Sequence, residues 1–333
     1  MSPVAPYERL ALMDALSQLT PTNPGNQCFV NAAMMATLWA VLSRVDFQYS
    51  DLGPKATLIA SSIMSFSLGP LNLAELMWFH ETMQSWPNPT NQGDPVEFLS
   101  HVLRGMQFGG FNMKWERRMQ EGETVRIMDH NDALRPITVQ FDESDPDAIH
   151  HGYTALQTMI HTWESQYGMQ TALTDPSALV CIHVDRFVNQ GTSAVTKSER
   201  PIHFRGSLSL PVFDHTGLEV SRRGYQVMTA IAHLGTDAAG HCRALLKTWP
   251  KAAPNEVNFL ITEDGQPPQR IWEEPRWFKQ NVTCFLLCDC DSIDLFKMPV
   301  QPDPAPATPS TDSSSPADPE LSTLQSLIRA MPE

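Results

Sequence analysis

A polar turn leads directly into an apolar helix in the stretch Asn23-Pro24-Gly25-Asn26-Gln27-Cys28-Phe29-Val30-Asn31, and Cys28 stands at the junction. Asn, Pro and Gly favour a turn before the cysteine. From Val30 to Leu42 the chain is apolar except for Asn31 and Thr37, and apolar residues recur at helical spacing. Because this run is too short to span a bilayer, it predicts a buried helix that begins just after Cys28.

A thiol at the start of a helix has an electrostatic reason to ionise. It faces the positive end of the helix dipole and backbone N–H groups that lack partners within the helix, and both favour the thiolate. The same N–H groups can stabilise an oxyanion formed when the thiolate attacks a carbonyl. Cys28 is therefore a candidate nucleophile. The alternative is a small buried cysteine of the core.

The segment GTDAAGHCRA, residues 235–244, supplies a candidate base. It follows a strand-like run that ends in His233, and Gly240 lets His241 project into a cleft at the start of the next strand. A cysteine–histidine pair needs the imidazole close to the sulfur and a third group that orients the ring. Glu263 and Asp264 end a later strand and are candidates for that group. A surface histidine and an ordinary acidic turn are the alternatives.

Five motifs, in this order, resemble those of the ubiquitin-specific protease family of cysteine deubiquitinases. The cysteine box is matched by Asn23, Gly25, Asn26, Cys28 and Asn31. A helix motif is matched by Gln92, Asp94, Glu97, Phe98 and Leu99. A strand ending in Arg-Phe is matched by Cys181 to Phe187. The histidine box is matched by Tyr225, Val227, Ala230, Ile231, His233, Gly235, Gly240, His241 and Ala244, and the acidic pair by Glu263 and Asp264. The resemblance spans about residues 21–291.

The resemblance implies a papain-like α+β cysteine protease fold, with a helical thumb around Cys28, a β-rich palm that carries His241, and reduced fingers. It implies hydrolysis of the isopeptide or peptide bond after the C-terminal glycine of ubiquitin, without a metal or an organic cofactor. In this mechanism His241 takes the proton of Cys28, and Asn23 joins backbone N–H groups in holding the oxyanion. The family's substrate-facing positions correspond to Gln92, Asp94, Glu97 and His233.

Three departures from the family pattern fall at the site itself. Gln27 replaces the usual threonine, Cys242 replaces the aromatic residue after the histidine, and Glu263 stands where the orienting Asn or Asp usually is. We therefore favour Asp264 as the group that orients His241, with Glu263 as the alternate. The departures leave two other functions open: a non-catalytic ubiquitin-binding pseudoprotease, and a protease for a ubiquitin-like modifier.

The order of the elements predicts an α+β protein, because helical patterns come first and strand patterns later. A second helix opens at Asp94, with Pro95 at its first position and Glu97 at its third, so both acids can also serve as caps. Strands are predicted at 178–187, 225–233, 257–262 and 282–290. Residues 111–176 are mixed in pattern. They lack the family's zinc-binding finger cysteines, which predicts a metal-free finger region.

The family resemblance and the composition together predict four parts of the chain. The resemblance implies a ubiquitin-specific-protease-like catalytic domain at residues 21–298, which leaves residues 1–20 as an N-terminal extension. Residues 299–319 are rich in Pro, Ser and Ala and predict a disordered linker. Residues 320–333 predict a short amphipathic helix that is either a fraying end or a docking peptide for a partner.

Charge and cysteine usage narrow the choice of partners. The formal net charge of −14 at pH 7 argues against nucleic-acid binding and suits a cationic partner. No signal peptide, membrane span or CxxC pair is visible, which predicts free thiols, no zinc site and a cytoplasmic or nuclear location. The family resemblance implies that the partners are ubiquitin or ubiquitinated proteins.

Overall fold

Helices fill the first third of the chain and strands most of the rest. The computed structural model describes residues 6–23, 25–65, 81–83, 86–87, 93–142, 144–189, 195–235, 240–248 and 258–293. All of these belong to one compact unit, residues 1–301. Gln92, the predicted linker 299–319 and the predicted helix 320–333 lie outside the described residues.

Seven α-helices of the described chain are named here. They are α1 (Pro6–Ser17), α2 (Cys28–Leu42), α3 (Gly53–Ser65), α4 (Pro95–Met106), α5 (Pro146–His151), α6 (Leu156–Glu164) and α7 (Arg276–Asn281). Single 3₁₀ turns occupy Tyr49–Leu52, Gln166–Gly168 and Cys290–Ser292.

In the part of the chain that the structure describes, fifteen strands follow the first four helices. They are β1 (Trp115–Glu121), β2 (Thr124–Asn131), β3 (Ile137–Gln140), β4 (Thr154–Ala155), β5 (Gln170–Leu173), β6 (Leu179–Asp185), β7 (Phe187–Asn189), β8 (Val195–Lys197), β9 (Ile202–His203), β10 (Ser207–Phe213), β11 (Val220–Gly235), β12 (Gly240–Thr248), β13 (Asn258–Glu263), β14 (Gln266–Ile271) and β15 (Val282–Asp289).

Eleven of these strands form one sheet that is organised around β11. Its main path runs β14-β13-β12-β11-β10-β5-β1-β2, and a branch leaves β11 through β15 to β6 and β3. Most pairs are antiparallel, whereas β3–β6 and β10–β5 are parallel. The two short pairs β4–β9 and β7–β8 stand apart. The predicted α+β class is therefore confirmed, because most helices come early in the chain and the strands of one large sheet follow them.

Helix α2 is the central element of the core, and all 15 of its residues are buried. It packs against α1 and α4 on the helical side and against β11, β12 and β15 of the sheet. Trp39 of α2 donates an indole N–H hydrogen bond to the Lys247 carbonyl of β12 at 2.9 Å. Thr229 of β11 donates to the Ala36 carbonyl at 3.2 Å. These contacts fix the middle and the last turn of α2 against β11 and β12.

The secondary-structure predictions are confirmed for both helices and for all four strands, with boundaries shifted by a few residues. The largest shift is at β11, which begins at Val220 rather than at residue 225. Residues 111–176, which were not assigned from sequence, contain the β1–β2 hairpin, β3 to β5, α5 and α6. Short helices separate the strands in this region, so neither the two-residue period of a strand nor the 3.6-residue period of a helix continues over a long stretch of sequence.

Residues at the N-terminus contribute to the core. Leu12, Met13 and Leu16 of α1 are fully buried and Leu19 nearly so. The guanidinium of Arg9 donates to the carbonyls of Leu42 and Arg44 at the end of α2. Within the described residues, no helix is both long enough and apolar enough to cross a membrane.

Candidate active site

Cys28 is the first residue of α2, and the turn before it is held by side chains of the quoted stretch. The Asn23 side-chain carbonyl accepts a hydrogen bond from the Gln27 N–H at 2.5 Å. Asn26 adopts the left-handed backbone conformation, with φ of 57°, which suits asparagine better than most residues. The side chain of Cys28 lies almost wholly inside, at 2% exposure. The predicted helix start is confirmed.

His241 reaches the site from β12, which pairs antiparallel with β11 so that Leu234 lies opposite His241. A Cβ atom on Gly240 would overlap the Leu234 carbonyl oxygen and the imidazole of His233. Glycine is therefore the residue that lets the two strands approach at this point. The predicted substrate-facing residue His233 is buried beneath Gly240, at 5% exposure.

The His241 ring lies between two carboxylates. Its Nε2 atom is 2.7 Å from Oε1 of Glu263, and its Nδ1 atom is 3.8 Å from Oδ2 of Asp264. The other oxygen of the Glu263 carboxylate pairs with the guanidinium of Arg243. Glu263 thus makes a direct hydrogen bond to the ring, whereas Asp264 is beyond hydrogen-bond distance.

Asp264 is instead tied to the segment around Cys28. Its Oδ1 atom accepts a hydrogen bond from the Asn31 amide at 2.8 Å, and the same amide nitrogen donates to the Thr22 carbonyl at 2.9 Å. The Gly265 N–H donates to the Pro21 carbonyl at 2.8 Å. The β13–β14 turn is therefore fastened to the chain just before the nucleophile.

The Cys28 sulfur, a ring nitrogen of His241 and a carboxylate oxygen of Asp264 all lie within 4.8 Å of one another. The structure thus gathers the predicted nucleophile, the predicted base and both acids in one place. By donor type, a thiolate, an imidazole and a carboxylate could also hold a divalent cation. The same three groups could equally serve as nucleophile, base and charge partner.

Electrostatics favour an ionised thiol at Cys28. A hydrogen bond from the Cys242 side chain is the largest influence, burial opposes it, and His241 adds a second hydrogen bond, so that the pKa of Cys28 falls to about 4. The hydrogen bond between Cys28 and His241 is also the main reason why the pKa of His241 rises above 6.5. The negative charges of Cys28 and Asp264 add to this rise, and burial of the ring opposes it. Both shifts favour the ion pair of a thiolate and an imidazolium over two neutral groups.

Two predicted substrate-facing residues lie at the start of α4. The Asp94 carboxylate accepts hydrogen bonds from the N–H groups of Val96 and Glu97, at 2.8 and 2.9 Å, which makes it the N-cap. Asp94 and Glu97 are both exposed. They line a cavity of about 300 Å³ whose opposite wall includes His183 and Asp185 of β6 and Arg135. The predicted cap is confirmed for Asp94, and both acids also line open space.

Two residues of this network, Asn31 and Arg243, were not assigned a role from sequence. Asn31 stands three residues after Cys28, so helical spacing places both on one face. Arg243 stands two residues after His241 in a strand and so shares its face. Spacing alone could have found both residues, but only the folded chain shows which carboxylate each of them holds.

A cysteine at the start of a helix that faces a histidine on an antiparallel sheet is the arrangement of papain-like cysteine protease folds. The chain has the papain-like fold of ubiquitin-specific proteases. No family model and no curated protein matches the sequence. The chain is similar in structure to the Ubp8/Sgf11/Sus1/Sgf73 SAGA DUB module bound to monoubiquitin, with a TM-score of 0.59, 12% identity, and coverage of 87% of this chain and 71% of that one.

Two further solved structures give the same likeness. One is that module bound to ubiquitin aldehyde, with a TM-score of 0.58, 11% identity, and coverage of 82% of this chain and 70% of that one. The other is the yeast SAGA DUB module, with a TM-score of 0.50, 13% identity, and coverage of 87% and 68%. At these identities the likeness is one of fold.

Proposed function

We propose that this protein is a cysteine-dependent deubiquitinase that hydrolyses the isopeptide or peptide bond after the C-terminal glycine of ubiquitin. One observation carries the proposal: Cys28, His241 and an acid converge within 4.8 Å in a chain with the fold of ubiquitin-specific proteases. The solved relatives bound to monoubiquitin and ubiquitin aldehyde support ubiquitin as the substrate.

The reaction begins from the ion pair, because the low pKa of Cys28 and the raised pKa of His241 leave the proton on the imidazole. The Cys28 thiolate attacks the scissile carbonyl, and backbone N–H groups at the start of α2 stabilise the oxyanion. Asn23 is the proposed side-chain donor to this oxyanion. The His241 imidazolium protonates the departing amine, and the neutral ring then activates the water that releases the acyl-enzyme.

Glu263 is the proposed positioning residue of His241. The sequence favours Asp264 for this role, whereas the distances favour Glu263, which is 2.7 Å from Nε2 while Asp264 is 3.8 Å from Nδ1. Arg243 holds the second oxygen of Glu263 and so restricts the carboxylate to one orientation. Asp264 contributes negative charge on the Cys28 side of the ring.

The cavity beside α4 is the proposed entrance for the arginine-rich C-terminal tail of ubiquitin. Three carboxylates line it, from Asp94, Glu97 and Asp185, against the single cation of Arg135. Burial lowers the pKa of the nearby His183, which keeps that ring neutral at physiological pH. The cavity therefore has a net negative charge that complements guanidinium groups. Gln92, the remaining predicted substrate contact, lies outside the described residues.

Reaction with a ubiquitin probe that carries a C-terminal electrophile tests the proposal. The wild-type protein should form a covalent adduct at Cys28, and Cys28→Ala should form none while still binding ubiquitin. Cys290→Ser, which changes a thiol outside the site, is the matched control and should react like wild type.

Other outcomes would contradict the proposal in distinguishable ways. Binding of ubiquitin without an adduct in the wild-type protein would indicate a pseudoprotease. An adduct only with a probe built on a ubiquitin-like modifier would move the substrate to that modifier. A full adduct with Cys28→Ala would move the nucleophile elsewhere, with Cys242 the first candidate.

A further inference from the structure

The end of β11 that lies beside His241 extends beyond its pairing with the neighbouring strand β15. That pairing ends at Ala232, opposite Val282, whereas β11 continues to Gly235. Leu234, within this extension, lies opposite His241 of β12. The position of the extension therefore affects the position of the candidate base.

The ammonium group of Lys197, at the end of β8, holds this extension. Its Nζ atom donates to the carbonyls of His233 and Gly235, the latter at 3.1 Å. A third hydrogen bond goes to Oδ1 of Asn281, the last residue of α7, at 3.0 Å. A protonated lysine has three N–H donors, so these three acceptors use all of them. The two carbonyls belong to the residues on either side of the one that lies opposite the base.

We propose that Lys197 is a positioning residue of the candidate active site: its ammonium group fixes the end of β11 and thereby the orientation of His241 on β12. The inference rests on the proposed function for its effect on catalysis. It adds a residue that the five family motifs do not include. In this role Lys197 acts through the strand and not on the reacting atoms.

A buried guanidinium fastens both elements that supply this contact. Arg186, which is 1% exposed, donates to the carbonyls of Ser198 and Arg200 in the segment that follows Lys197. The same guanidinium donates to the Lys279 carbonyl of α7 at 2.9 Å. Hydrogen bonds behind a positioning side chain restrict where that side chain can lie. The lysine and the helix that supplies its side-chain acceptor are therefore held in a fixed relation.

Helix α7 also reaches His241 by a second route. The Asn281 amide nitrogen donates to the Trp277 carbonyl at 2.8 Å. The guanidinium of Arg243 lies over the Trp277 ring, 5.3 Å from its centre, and pairs with Glu263. Glu263 in turn is 2.7 Å from the His241 ring. The helix thus braces both the strand opposite the base and the carboxylate beside it.

Steady-state kinetics of Lys197→Met test the proposal, because methionine keeps much of the side chain and removes the three donors. We expect kcat for a fluorogenic ubiquitin substrate to fall roughly 10–100-fold with KM nearly unchanged, since a misplacement of about 1 Å can cost that much. Lys197→Arg, which keeps a cation with several N–H donors, should recover part of the loss. Lys55→Met, at another half-buried lysine on α3, is the matched control and should behave like wild type.

An NMR titration of the His241 ring gives a second readout that does not depend on activity. The hydrogen bond with Cys28 is the main reason why the pKa of His241 lies above 6.5, so a displaced ring should titrate closer to 6.5 in Lys197→Met. A lysine with a merely structural role would lower the melting temperature on substitution and leave this pKa and kcat at their wild-type values. His241→Gln identifies the signal.

Wild-type kcat and an unchanged His241 titration in Lys197→Met would overturn the proposal, whatever the melting temperature. If Lys197→Met does not fold, Asn281→Ala removes one of the three acceptors and should show both effects to a smaller extent; wild-type values in that variant would overturn the proposal equally. Failure of the proposed function gives a different pattern, in which the wild-type protein never reacts with the ubiquitin probe but the His241 titration still shifts in Lys197→Met.

Discussion

At the scale of single residues, the position of one proton controls the site. A hydrogen bond from Cys242 and, less strongly, the contact with His241 lower the pKa of Cys28 to about 4, and the contact with Cys28 raises the pKa of His241 above 6.5. Such a coupled pair titrates in two macroscopic steps. The active form, thiolate with imidazolium, exists between them.

The first prediction is a bell-shaped dependence of kcat/KM on pH. Activity should rise as the pH passes about 4, where Cys28 loses its proton, and fall above 6.5, where His241 loses its own. Hydrolysis of a fluorogenic ubiquitin substrate across the pH range measures both limbs. Cys242→Ala should move the acidic limb to higher pH, because it removes the largest stabilising hydrogen bond. An acidic limb at the ordinary cysteine value in wild type would contradict the ion pair.

The second prediction separates the two acids by different readouts. Glu263→Ala should lower kcat by roughly 10²–10⁴, because His241 loses the hydrogen bond that orients it. Asp264→Asn keeps the shape and removes the charge, so it should lower the pKa of His241 and move the basic limb to lower pH. If Asp264→Ala costs more in kcat than Glu263→Ala, Asp264 is the orienting residue, as the sequence favours.

At the scale of elements, the start of α4 combines two roles in one residue. Asp94 satisfies two backbone N–H groups of the helix and also lines the acidic cavity. A cap of this kind contributes about 1 kcal/mol to the free energy of unfolding. Because Asn caps nearly as well as Asp but carries no charge, one substitution can separate the roles.

The third prediction is that Asp94→Asn raises KM for a ubiquitin substrate and weakens its dependence on salt, with an unchanged melting temperature. The substitution removes the attraction between the Asp94 carboxylate and the cationic tail of ubiquitin, and this attraction is what salt screens. Steady-state kinetics at two ionic strengths and a thermal melt measure these effects. Asp214→Asn, at an exposed acid between β10 and β11, is the control. Wild-type KM and salt dependence in Asp94→Asn would leave Asp94 as a cap alone.

At the scale of the whole molecule, the first helix decides how much of the chain the folded unit needs. The family resemblance begins only at about residue 21, yet α1 buries Leu12, Met13 and Leu16 in the same core as α2. Arg9 holds the carbonyls at the end of α2. Residues 6–19 thus contact the element that presents the nucleophile.

The fourth prediction follows from this burial. Leu16→Ala should lower the free energy of unfolding by about 2–5 kcal/mol, because it leaves a cavity in the core. Leu58→Ala, on α3, is the matched control, since that side chain is 51% exposed, and it should change stability little. Denaturant titration measures both. Equal, small effects would show that α1 is an appendage and that the domain begins near residue 21.

The sequence by itself determines the fold class and most of the candidate site. The apolar run after Cys28 can only be accommodated as a buried helix, and the change from helical to strand patterns gives the α+β class. Asn, Pro and Gly place the turn, Asp94 marks a helix start, and the strands carrying His241 and Glu263 are recognisable from their composition. Each of these depends on interactions between near neighbours in the chain, which local sequence encodes.

Only the tertiary structure decides which side chains meet. Cys28 and His241 are 213 residues apart in the numbering, and they meet because α2 packs on β12. The choice between Glu263 and Asp264 depends on which edge of the His241 ring each one faces after the β13–β14 turn is tied to Pro21. Such contacts are set by packing and register over long sequence separations, and a single sequence specifies them only through the complete fold.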